Sequence, residues 1–139
     1  MASKTSKENK MKLNRTYILL SVLIFVLEIF IERTTGFVRY TLGDVFAVMF
    51  VYTSIKSVFD VSVIKAAIIA LSIAFTIEIV QLFNLHVYYP KNYKRLFKLL
   101  LGSSFSMGDM LAYTSGILIV LIIEWRLWNL IGYNNINNE

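Results

Sequence analysis

The chain has no cysteine, one proline and one histidine. Without cysteine, neither a disulfide framework nor a thiolate metal site is available. His86 reads as a loop histidine: with carboxylates spread over four segments it cannot complete a zinc site, so neither a metal nor a cofactor is expected. Pro90 falls between apolar segments, which leaves each of them free of a proline kink. Polar surface is scarce as well. Of 139 residues, 57% are hydrophobic and 17% charged, a balance too apolar for a soluble domain and a length that suits one compact unit. Acids are outnumbered, nine against 14 lysines and arginines, for a net charge of +5. No separate basic domain exists to bind nucleic acid. The excess is better read as contact with anionic lipid head groups and as a topology determinant.

What is present is a set of apolar runs long enough to cross a bilayer, which takes about 20 residues. Four qualify, near Leu13–Ile31, Gly43–Phe59, Val61–Leu85 and Met107–Trp128. The second is the weakest, since Lys56 lies near its end and must snorkel to the interface. The expected fold is all-α, a polytopic membrane bundle of four transmembrane helices arranged as two hairpins over residues 15–130. Residues 1–14 form a basic leader with Lys4, Lys7, Lys10 and Lys12. They resemble the start of a signal peptide, but the small-residue cleavage pattern is missing. Residues 131–139, rich in Asn, are expected to fray. The basic leader and the connection holding Lys56 and Lys65 place both termini in the cytoplasm and the chain in the cytoplasmic membrane. Lys91, Lys94, Arg95 and Lys98 then fall outside, which is reconciled if Tyr88–Leu101 lies along the membrane surface as an amphipathic segment. Trp125, Trp128, Tyr40, Tyr88 and Tyr89 read as interface anchors.

A Gly-Asp pair occurs twice, Gly43-Asp44 and Gly108-Asp109, each opening an apolar segment. The order acid, base, Gly-Asp, apolar helix repeats, from Glu28 through Arg39 to Asp44 and from Glu78 through Arg95 to Asp109. This suggests a parallel duplication of a hairpin. Glu78 and Gln81, three apart, share a face of the third helix; Asp109, Tyr113 and Gly116 share a face of the fourth, and the two faces are expected to meet. For each aspartate alone the plain account is helix capping. For Glu78 it is an ion pair with Arg39 or Arg95, or a polar lock between helices. Glu28 and Glu32, one turn apart, either join the cluster or mark a helix end.

The functional account gathers Arg39, Asp44, Glu78, Gln81, Arg95, Asp109 and Tyr113 into a ligand site at the outer membrane face. Arginine forks suit phosphate oxygens, and an acid inside a membrane is a functional candidate by default. No nucleophile arrangement, phosphate loop or metal motif is present to name a reaction. The leading expectation is recognition, with processing as an extension, of an anionic envelope lipid or lipid-linked precursor. The rivals are a proton-coupled carrier using Glu78 and Asp109, and a structural or accessory subunit. Membrane lipids are the expected partners, and a homodimer that completes the site is compatible with so small a bundle.

The run Phe37-Val-Arg-Tyr-Thr-Leu-Gly-Asp44 with its following helix resembles the first motif of a family of small bacterial membrane proteins, domain of unknown function 2809. Glu78 with Gln81, then Leu101-Gly102, Phe105, Asp109, Tyr113 and Gly116, resemble its second. The resemblance spans about Arg15 to Arg126. Glu-x-x-Gln with the downstream Asp-x-x-x-Tyr-x-x-Gly is similar, more weakly, to the VanZ family, linked to the cell envelope and low-level teicoplanin resistance. In place of that family's arginine-rich connection stand Lys94, Arg95 and Lys98. Both resemblances imply a helical membrane protein and support these site residues; neither implies a defined activity.

Overall fold

A computed structural model describes residues 13–83, 88, 90–94 and 105–136. Among them are four long helices, α1 (Arg15–Glu32), α2 (Gly43–Val58), α3 (Val63–Leu82) and α4 (Met107–Ile136). A π-helical turn, Val38–Leu42, leads directly into α2, and a short 3-10 turn covers Lys91–Tyr93. Three helical stretches are long and apolar enough to cross a membrane: Val38–Val58, Val63–Leu82 and Met107–Leu130. The chain is thus an all-α, multi-pass membrane protein. The first helix, expected to span, falls outside this set: it has 18 residues and carries Arg15, Glu28 and Glu32.

Sequence explains the helix ends. Asn14 caps α1 by accepting from the Thr16 N–H at 3.1 Å, and Ser62 caps α3 by accepting from the Lys65 N–H at 3.5 Å. Side-chain oxygens at these positions satisfy amides that the helix leaves without partners. The α1–α2 turn contains Gly36 at φ 70°, a left-handed conformation that a β-carbon disfavours.

Helices α1 and α2 form an antiparallel hairpin. The Asn14 N–H donates to the Ser57 carbonyl at 2.9 Å, and the Ser21 hydroxyl bonds with those of Thr53 at 2.9 Å and Ser54 at 3.0 Å. Phe25 and Phe50 stack further along, their rings 5.6 Å apart. In lipid there is little hydrophobic force between helices, so such hydroxyl pairs and close packing hold them.

The core lies among α2, α3 and α4. Val48 and Tyr52 come from α2, Ala66, Ala67, Ala70 and Ala74 from α3, and Tyr113, Ile117 and Val120 from α4. On α3 the alanines recur every fourth residue, a ridge low enough to let neighbouring helices approach. The tightest approach is at Gly116, where an added β-carbon would lie 2.5 Å from Val48 Cγ1 and 2.7 Å from the Val45 carbonyl oxygen. Outward faces are apolar: Ile68 is 61% exposed and Leu111 71%. Such surface would drive aggregation in water and suits lipid.

The second helical stretch begins before the expected Gly43, because the π turn carries the chain into α2 without a break. The fourth runs beyond the expected Trp128 to Ile136, so the backbone of the Asn-rich end, expected to fray, is helical as far as Ile136. Of the expected surface segment Tyr88–Leu101, the described residues include the 3-10 turn at Lys91–Tyr93; its residues from 95 onward, and Tyr89, lie outside the described residues.

Candidate functional site

Glu78 continues the alanine row of α3: Ala66, Ala70, Ala74, Glu78. The periodicity that buries the alanines therefore drives this carboxylate into the helix interface, where it is 1% exposed. A buried carboxylate must find donors. Glu78 Oε2 accepts from the Ser106 backbone N–H at 3.2 Å and Oε1 from the Tyr113 hydroxyl at 3.2 Å. Ser106 in turn accepts from the Gly108 N–H at 3.2 Å through its side chain, so one carboxylate and one serine fix the start of α4.

The faces expected to meet do so. The Tyr113 hydroxyl also lies 3.4 Å from Asp44 Oδ1, and the Asp109 carboxyl is close enough to Asp44, Glu78 and Tyr113 to interact with them electrostatically. Three carboxyls from three helices thus surround one phenol. A phenol has one proton to donate, so it satisfies Glu78 or Asp44 at a given moment, not both. Asp44 and Asp109 are partly exposed, whereas Glu78 is fully buried. Gln81 is buried one turn beyond Glu78.

The capping account of Asp44 is not what the structure shows. Leu42, with helical backbone angles and no side-chain cap, precedes α2, so Asp44 sits inside a continuous helix and turns towards Tyr113. At α4 the capping serine is Ser106, and Asp109 lies in the first turn behind it. The two Gly-Asp pairs are equivalent in position along their hairpins but not in local backbone. Arg39 is exposed on the π turn, and among the described residues no lysine or arginine joins the contacts of Asp44 or Glu78. The expected Glu78–Arg39 ion pair is absent: Glu78 is buried and accepts from Tyr113 and Ser106 instead, while Arg39 is exposed. Arg95, with Leu101, Gly102 and His86, lies outside the described residues. Glu32 is exposed; Glu28 is half-buried on α1, and its Oε1 has no partner among the described residues.

A second carboxylate centre stands nearer the other end of the bundle. Glu124 Oε1 accepts from the Tyr17 hydroxyl at 2.5 Å and the Tyr52 hydroxyl at 2.8 Å, tying α1 and α2 to α4. The two rings meet edge to face, 6.5 Å apart. Sequence reading passed over Glu124, although Tyr113, Ile117, Val120 and Glu124 share the 3–4 spacing of one helix face, which was the available clue.

The family model for a protein of unknown function (DUF2809) matches residues 33–117, more than half of the chain, and the chain belongs to that family. The matched segment contains the whole acid cluster and leaves out Tyr17 and Glu124. No curated protein and no solved structure matches the chain.

Proposed function

We propose that the protein binds, at the outer face of the cytoplasmic membrane, the head group of an anionic envelope lipid or lipid-linked precursor. The observation that carries this reading is the division of labour among the three carboxyls. Glu78 is buried and accepts from Ser106 and Tyr113, while Asp44 and Asp109 are partly exposed and Arg39 is exposed on the adjoining π turn. Carboxylates accept from hydroxyl or ammonium groups, and a guanidinium fork suits a phosphate. A head group bearing both, a phosphate with glycerol or sugar hydroxyls, answers this combination; a bare phosphate would be repelled by the aspartates. π turns are frequent at functional sites.

The same reading makes α1 a fourth crossing, held to the bundle by Ser21 and Tyr17. Arg15, Lys56 and Lys65 lie at the end opposite the acid cluster, which by the positive-inside rule supports a cytoplasmic location for both termini. Native mass spectrometry of protein extracted in mild detergent tests the binding claim. Wild type should retain one more equivalent of a phosphate- and hydroxyl-bearing lipid than Arg39→Ala or Asp109→Asn does, with both variants remaining folded. Equal retention in all three would overturn it.

A second reading rests on the single proton of Tyr113, placed between Glu78 and Asp44. That geometry can hand a proton from the buried carboxyl to the partly exposed one, as a proton-coupled carrier requires. Proteoliposome flux driven by a pH gradient and lost in Tyr113→Phe would favour it over head-group binding.

A further inference from the structure

The opposite end of the bundle holds a polar cavity that the reading above leaves unused. It has a volume of about 310 Å³ and is lined by Leu13, Asn14, Arg15, Lys56, Phe59 and Asp60. It lies where the start of α1 meets the end of α2, and its two cations come from different helices. Lys56 is fixed in place: its Nζ donates to the Val61 carbonyl at 2.8 Å and sits 5.2 Å over the Tyr17 ring. Tyr17 is itself held by Glu124. An ammonium group so anchored loses little further freedom when an anion arrives, and it retains two donors to offer.

We propose that this cavity is a second anion site, independent of the acid cluster, which takes the phosphodiester of an anionic lipid from the leaflet at that face. Arg15 and Lys56 against Asp60 leave one net positive charge, which matches a singly charged phosphodiester. A doubly charged phosphate monoester would stay undercompensated. Leu13 and Phe59, 71% and 45% exposed, supply an apolar rim on the lipid side, which a soluble phosphate would not use. The volume falls at the lower end of the range of about 300–1,000 Å³ typical of small-molecule pockets, enough for a head group and too small for a bulky one. Basic pockets between transmembrane helices recognise anionic head groups in this way.

The test is lipid titration by native mass spectrometry in an Arg39→Ala background, so that the acid-rich end does not contribute and the two readings fail separately. Dioleoyl phosphatidylglycerol and dioleoyl phosphatidylcholine are the probes, with inorganic phosphate as the soluble competitor. Phosphatidylglycerol should bind in preference to phosphatidylcholine, and Arg15→Gln and Lys56→Gln should each weaken it about fivefold. Asp60→Asn should strengthen it by a similar factor, a gain that a structural role for Asp60 would not produce. Arg15 is exposed, so Arg15→Gln keeps the test valid if Lys56→Gln disturbs the turn at Val61. Equal binding of the two lipids, or unchanged binding in Arg15→Gln and Asp60→Asn, would overturn the proposal. Displacement of the lipid by inorganic phosphate would overturn its lipid source and assign the cavity to a soluble phosphate.

Discussion

The Tyr113 hydroxyl donates to Glu78 across the α3–α4 interface at 3.2 Å, with the Glu78 side chain 1% exposed. This contact makes the acid cluster a property of three helices. Tyr113 rises from α4, Glu78 from α3, and the same hydroxyl reaches Asp44 on α2 at 3.4 Å. Tyr113→Phe keeps the ring packing and removes the donor. It should cost on the order of 1–2 kcal/mol, between the average for hydrogen bonds inside membranes and the penalty for an under-satisfied buried carboxylate. Unfolding in a graded detergent mixture would measure it, and an unchanged midpoint would show that the contact is not stabilising.

Gly116 sets the distance between α2 and α4. Its close neighbours include the backbone oxygen of Val45, which cannot rotate away as a side chain does. Gly116→Ala is therefore expected to destabilise the bundle by about 1–3 kcal/mol through overpacking. Gly43→Ala, with nothing within 4 Å of the added carbon, should leave the unfolding midpoint nearly unchanged. Equal effects of the two would contradict this placement of the helix crossing.

Glu124 receives two phenols on one oxygen, so Tyr17 and Tyr52 should not act independently. In a double-mutant cycle, Tyr17→Phe and Tyr52→Phe are expected to show a coupling free energy of about 0.5–1.5 kcal/mol. Strict additivity would mean that the two hydroxyls do not share the carboxylate.

The absence of native cysteine makes topology directly measurable with single introduced thiols. Thr35 and Ser62 are exposed in turns at opposite ends of the bundle. Thr35→Cys should react with a membrane-impermeant maleimide added outside intact cells, and Ser62→Cys only after permeabilisation. The reverse pattern would invert the orientation, and labelling of both from outside would remove the two-sided arrangement.

Much of the fold was legible because helix periodicity is a local property. The long apolar runs and the shared faces of Glu78 with Gln81 and of Tyr113 with Gly116 all follow from spacing. Two boundaries were not legible. The π turn at Val38–Leu42 carries no sequence punctuation, so Gly43 read as a start although the helix was already under way. The α4 helix passes Trp128 because nothing there stops it. Glu124 was overlooked for a different reason: its partners lie far away in sequence, on α1 and α2, and no local pattern announces such a contact.

By itself the sequence determined that the chain is a helical membrane protein with no cysteine, and that its acids lie at helix faces rather than in a soluble domain. Composition and a 3.6-residue period suffice for that, since both act through the neighbouring turns of one helix. The tertiary structure decided which charges meet. It placed Asp44, Glu78 and Asp109 around one tyrosine, left Arg39 outside, and set Arg15 beside Lys56 in a cavity. Those pairings depend on how helices pack across tens of residues of chain, a distance over which spacing carries no information.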